Sequence, residues 1–296
     1  MTIDATTRAD PRRGAVLMAV LWSISLLAAL AMAASVTFRS FTGVMSVDRN
    51  RVERDALITA GLEVAAGVIL DLGQSTPLID LERTVTLSTG SVNVRLNDEG
   101  GRIDITKAPA ELLAAMLRSA GAPPATAGSV AKTIIEQRGN TPRSGPAAQR
   151  PPVLATTHEQ ALSSIGQIAG MRAQWLAAIA PLTTIYGSET VNMLTAPRGV
   201  IAALPGVDAS RLEAFLAERR VATSDTSRLA QMLGPAQTYV SAKPQRIATV
   251  ELRATLAEGQ ARNSVAGARA VIAVLPQDSE PYRVLMFTPM RTAALR

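Results

Sequence analysis

The sequence predicts an α+β fold in which a long N-terminal helix packs on an antiparallel sheet, and the sheet is interrupted by a large all-helical insertion. Three observations predict it. An apolar run, Ala15–Phe38, continues into an amphipathic pattern that reaches Leu72. Short alternating, β-branched segments occur before Lys107 and again after Val240. Between them, Lys107–Val240 is rich in alanine, leucine and glycine at helical spacing. Strands made on both sides of an insertion can share one sheet.

The first element is the helix. Ala15–Phe38 contains no ionisable side chain. At about 1.5 Å per residue it spans roughly 36 Å, enough to cross a hydrocarbon core of about 30 Å. Arg8, Arg12 and Arg13 precede it, which predicts a cytoplasmic N-terminus and an exported remainder. Three fates are open to such a segment: a removed signal, a plain anchor, or a processed leader that keeps its helix. An ordinary signal has a shorter apolar region, about 7–15 residues, followed by small residues, which Ala31–Ala34 could supply. The small residue that stands out is Gly14, which lies before the run and directly after Arg12-Arg13. Beyond Phe38 the spacing of Val44, Val47, Leu57, Ile58, Gly61, Leu62, Ala65, Val68 and Ile69 keeps the helix going until Gly73 and Pro77 stop it.

Strands follow. Thr84–Leu87 and Val92–Leu96 flank Ser88–Ser91, a hairpin turn containing glycine. Asn97–Gly101 marks another turn, and Arg102–Thr106 reads as a short third strand. The insertion predicts helices at Ala110–Ala120, Pro124–Gln137, His158–Ile168, Ala173–Ala180, Arg198–Ala203, Ala209–Arg219 and Ser227–Leu233, with Asn140–Pro152 a proline-rich loop. Strands return at Ile247–Leu256, Ala266–Leu275 and Tyr282–Thr288.

A weak internal repeat lies within this part: Asp104–Ala115 (DITKAPAELLAA) matches Asn192–Ala203 (NMLTAPRGVIAA). Each has an Asx residue that can bond its own backbone, then Ala-Pro, whose proline suits a first helical turn, then an apolar helix. Thr195, and less well Lys107, stands where a helix cap would be expected.

Composition excludes several chemistries. Cysteine is absent, so no disulfide framework, thiolate metal site or cysteine nucleophile exists. The single histidine, His158, rules out multi-histidine metal sites and argues against Ser-His-Asp catalysis; it reads as a solvated residue in a first helical turn. Net charge is +6, almost all from arginine, with lysine only at 107, 132 and 243. The charges are scattered, which suggests a generally basic surface facing anionic lipid or an acidic partner. Asp98, Glu99 and Asp104 form the close acidic group, with no nucleophile or base beside it, and read as solvated turn carboxylates. No catalytic residues and no metal ligands are expected.

A basic pair, a glycine and an unbroken apolar helix resemble a type IV prepilin-like leader. That resemblance implies cleavage between Gly14 and Ala15 by a membrane aspartyl peptidase, with the helix kept as the mature N-terminus and its first residue methylated. The segments Asp98–Leu113 (DEGGRIDITKAPAELL), Val191–Pro197 (VNMLTAP) and Tyr282–Leu285 (YRVL) resemble, in order, those of the minor pseudopilin K family of type II secretion. The chain departs from that pattern at Thr106 and Leu194, where asparagine is expected, and in the basic, proline-rich loop after Arg138. Calcium, carried by some members, is put in doubt by that loss of carboxylates, and no cofactor is expected.

The resemblance implies a pilin-like fold divided as leader 1–14, transmembrane helix 15–38, a first pilin-like part 39–106, a helical insertion 107–240 and a second pilin-like part 241–296. It implies a single-pass inner-membrane protein with a periplasmic globular part, partnered by minor pseudopilins I and J and the prepilin peptidase, with secreted substrates as further partners. It also implies a role in capping the filament tip, initiating assembly and aiding export of folded proteins. Most pilin-like chains carry glutamate as the fifth mature residue, and here that residue is Ala19. A subunit at the tip has no neighbour above it whose amine such a carboxylate would balance. The alternative is a membrane-anchored helix-hairpin-helix protein of DNA binding or uptake. Its signal is Leu204-Pro-Gly-Val207 before Asp208–Arg219, with a fainter echo at Ala169–Met171. The paucity of lysine weighs against nucleic acid.

Overall fold

The structure is a computed structural model, and it describes residues 11–73, 76–79, 81–139, 157–221, 225–257, 265–275 and 280–290. Helix α1 runs Pro11–Asp71. It starts before the expected Ala15, so Gly14, Ala15 and Ala19 all lie within it. Along Met18–Ala33 every residue is exposed. Among the described residues, no helix is long and apolar enough to cross a membrane. Residues 1–10 and the side chains at both ends of Ala15–Phe38, including those at 14 and 15, lie outside what is described.

The C-terminal half of α1 packs on a sheet. Leu57, Ile58, Leu62, Ala65, Ala66 and Ile69 are buried, at three- and four-residue intervals that make one stripe. The sheet has five antiparallel strands in the order β1 (Leu81–Leu87), β2 (Gly90–Asp98), β7 (Ile247–Leu256), β8 (Val265–Val274) and β9 (Tyr282–Met290). Val92, Val94 and Leu96 of β2 alternate inward beside Val250, Leu252 and Ala254 of β7 and Ala268, Ala270 and Ile272 of β8. Gly61 is where the helix comes closest: a Cβ there would stand 2.6 Å from Leu252 Cδ2 and 3.0 Å from Val92 Cγ2. Tyr282 of β9 donates to Glu63 of α1 at 2.9 Å and ties the far edge strand to the helix.

The chain leaves the sheet at Asp98 and returns at Ala248, its direct partner across the β2–β7 ladder. Everything between is an excursion with its own core, built round Leu112, Leu113, Met116, Leu117, Ile179, Met193, Ile201, Phe215 and Leu229. Its helices are α2 (Ala110–Ser119), α3 (Pro124–Gly139), α4 (His158–Gly166), α5 (Ala173–Ile179), α6 (Arg198–Ala202), α7 (Ala209–Val221) and α8 (Thr226–Met232). The expected loop Asn140–Pro152 lies outside the described residues.

The third strand departs from expectation. Arg102–Thr106 shortens to β3 (Ile103–Asp104), which lies outside the main sheet and pairs in parallel with β4 (Thr183–Thr184). A second parallel pair joins β5 (Val191–Asn192) to β6 (Val240–Ser241). Two-residue strands carry no readable alternation, so β4, β5 and β6 left no periodic signal.

Candidate functional site

The sequence repeat is a structural one. Asp104 Oδ1 accepts from the Thr106 amide at 2.7 Å, and Asn192 Oδ1 accepts from the Leu194 amide at 3.1 Å. The carbonyl of Asp104 accepts from Ala108 N at 2.8 Å, and that of Asn192 from Ala196 N at 2.9 Å. The helices then begin at Ala110 and Arg198, as expected, but the cap differs. Pro109 and Pro197 occupy the cap position in extended conformation, with no side-chain cap. Thr195 is therefore no cap, and its hydroxyl is used elsewhere.

Each turn is closed by an arginine from the second helix after it. Arg138 of α3 donates to the carbonyls of Ala108, at 2.7 Å, and Ile105. Arg219 of α7 donates to the equivalent carbonyls of Ala196, at 2.7 Å, and Met193, at 2.8 Å. The residues after a tight turn leave carbonyls without helical partners, and a guanidinium fork satisfies two at once. The sequence reading missed this pair because each arginine lies far along the chain from the turn it closes.

Between the sheet and these turns sits a buried polar junction. Asp98 continues the inward row of Val92, Val94 and Leu96, so the alternation of β2 drives its carboxylate into the interior. It accepts from Gly100 N at 2.9 Å, Asn192 Nδ2 at 2.9 Å and Thr195 Oγ1 at 2.6 Å. Burial pushes its carboxyl above the ordinary range; the three hydrogen bonds oppose this, and the Glu99 charge adds to it. Glu99, 2 % exposed, accepts from the hydroxyls of Thr184 on β4 and Thr249 on β7, and from Arg102 at 3.3 Å. One carboxylate thus holds a strand of the sheet and a strand of the excursion together. Gly101 permits the approach: a Cβ there would lie 2.9 Å from the Thr195 carbonyl carbon.

Asp104 is also buried. Beyond Thr106, its second oxygen faces Lys107 Nζ at 3.5 Å, and that ammonium donates to the Gly187 carbonyl at 2.7 Å. Asp98, Glu99 and Asp104 are therefore not the solvated carboxylates the sequence suggested. Each is buried in a separate set of donors. Among the described residues, no group of three or more such side chains is placed to hold a metal ion. His158 likewise departs from the solvated reading. Its Nε2 sits 2.9 Å from Thr183 Oγ1, and burial pushes the imidazole below its ordinary value, against the pull of Glu99.

The turn at Leu204–Val207 has Gly206 at φ +74°, facing the Pro235 ring at 3.7 Å from where a Cβ would be, and Leu204 is buried. That geometry is helix packing. The junction as a whole offers hydrogen-bond closure, with hydroxyl, amide and guanidinium donors on carboxylates. Its chemistry is mechanical coupling of two cores.

No family model matches the chain, and no curated protein matches it in sequence. Among solved structures, the fold is similar to a chain in the crystal structure of the GspK-GspI-GspJ complex from the enterotoxigenic Escherichia coli Type 2 Secretion System. The TM-score is 0.53 at 15% identity, covering 82% of this chain and 99% of that one. The fold is thus the α+β arrangement expected from the sequence.

Proposed function

We propose that this chain is a minor pseudopilin of a type II secretion system, of the K type, and that it works mechanically. The carrying observation is architectural: a long helix with an apolar first half lies on an antiparallel sheet whose β2–β7 ladder is interrupted by a large helical excursion. The fold likeness to a chain of the GspK-GspI-GspJ complex supports this reading.

On this reading the leader is 1–14, and peptidase cleavage between Gly14 and Ala15 leaves 15–38 as the inner-membrane helix. The pilin-like parts are 39–106 and 241–296, and the periplasmic excursion is 107–240. Among the described residues, the large apolar side chains from Met18 to Met32 are exposed, as suits a segment that meets lipid and then other helices. Ala19 offers no carboxylate to a neighbour's amine, which fits a subunit at the tip. There the protein would cap the filament, start its assembly with minor pseudopilins I and J, and aid export of folded proteins. The closed polar junction suits a part that transmits force between the shaft and the excursion.

Sequencing the N-terminus of the mature protein tests the reading. It should begin at Ala15, and Gly14→Val should block maturation because the peptidase needs a small residue there. A mature N-terminus near Ser35 would instead mark an ordinary signal peptide and overturn the proposal.

A further inference from the structure

A solvent-open cleft of about 520 Å³ separates the α1–β1 connection and the end of β2 from the second Asx-Pro turn and the end of α7. Its volume lies in the range of roughly 300–1,000 Å³ typical of ligand clefts. Its floor is apolar: Leu78, Leu96 and Leu194 are buried there, and Ile79 stands 43% exposed at the mouth. Its charged lining is Arg219, Arg220 and Arg102, the last of them paired with Glu99 at 3.3 Å, together with the carboxylate of Asp98.

That carboxylate does little to balance them. It is engaged by three donors and pushed toward its neutral form by burial. Arg219 is held in place by hydrogen bonds to the carbonyls of Met193 and Ala196, which carry no formal charge. Arg220 acts on Glu213, a carboxylate already paired with Arg198. The cleft therefore presents an apolar floor under a cationic rim.

We propose that this cleft docks an acidic segment of a neighbouring minor pseudopilin, with an apolar side chain on Leu78, Ile79 and Leu96 and a flanking carboxylate on Arg220 and Arg219. The proposal rests on the pseudopilin reading above. A protein segment fits better than nucleic acid, because the lining holds no lysine and no aromatic ring on which bases could stack. Charge across such a contact steers association and sets specificity.

The test is titration of the full-length chain, in detergent, with purified minor pseudopilins I and J of the same system. Arg220→Glu should weaken binding of one of them at least tenfold, and Ile79→Ala about threefold. Arg118→Glu, an exposed control on α2, should change nothing. Raised salt should weaken wild-type binding and barely affect Arg220→Glu. Full affinity in both cleft variants overturns the docking site while leaving the pseudopilin reading intact. Binding of neither partner by the wild type overturns both. Arg220-dependent binding of an oligonucleotide or of phosphatidylglycerol vesicles, with pseudopilin binding unaffected, assigns the cleft elsewhere and overturns the proposal.

Discussion

Single residues decide how the junction responds to mutation and to pH. Thr195→Val keeps the shape of the side chain but removes one of the three donors on Asp98. The cost should be about 1–3 kcal/mol, because a buried carboxylate is left short of a partner. Urea unfolding measures it as a shifted midpoint at constant slope. His158 gives the pH dependence. Burial holds its folded pKa below the ordinary value of about 6.5, so the unfolded chain binds the proton more readily. Stability should fall as pH drops below about 6.5, toward the folded value. Asp98 has the opposite sign: its carboxyl is raised above 3.8, so its contribution grows as pH falls through its folded value toward 3.8. His158→Gln should remove the first effect and keep the second. A thermal melt series from pH 7.5 to 4.5 separates them, and an unchanged profile in the variant would show that His158 does not titrate with folding.

At the scale of elements, the helix–sheet contact is the sensitive one. Gly61→Val would push methyl groups into Leu252 and Val92, which lie 2.6 and 3.0 Å from the Cβ position. Overpacking of this kind costs about 1–3 kcal/mol. Gly67, six residues along the same helix, has nothing within 4 Å of its Cβ position, so Gly67→Ala should stabilise by about 0.4–1 kcal/mol through the unfolded chain. Opposite signs for the two glycines, read by thermal unfolding, would locate the contact at Gly61. Equal effects would contradict it. The stripe at Leu57, Ile58, Leu62, Ala65 and Ile69 was legible in the sequence because burial follows the helical period. The demand for glycine at position 61 was not, since it depends on how near the sheet lies.

For the whole molecule, the facing of Asp98 and Ala248 makes the excursion separable. Replacing residues 99–247 with a short glycine-containing turn should leave a hairpin of β2 and β7 with the same register. The shortened protein should keep a cooperative melt and its sheet signal in circular dichroism, and lose most helical signal beyond that of α1. On the proposed function, it should also lose assembly with minor pseudopilins I and J and secretion. Normal secretion by this folded variant would sink the claim that the excursion carries function. Failure to fold would show that Thr184, Asn192 and Thr195, which close on Glu99 and Asp98, stabilise the sheet itself.

The sequence by itself determined the order of the helices and of the main-sheet strands, the apolar first helix and the repeat at Asp104 and Asn192. Each of these is written in a local period or a local turn, which needs no distant partner to be read. The tertiary structure alone decided that Asp98, Glu99 and Asp104 are buried, that His158 meets Thr183, and that Arg138 and Arg219 close equivalent turns. Those contacts join residues up to 150 positions apart, as between Glu99 and Thr249. A carboxylate beside glycines looks solvated until folding places hydroxyls and amides around it. Whether it lies in water or in the core depends on which strand ends meet, and chain-local pattern holds no record of that.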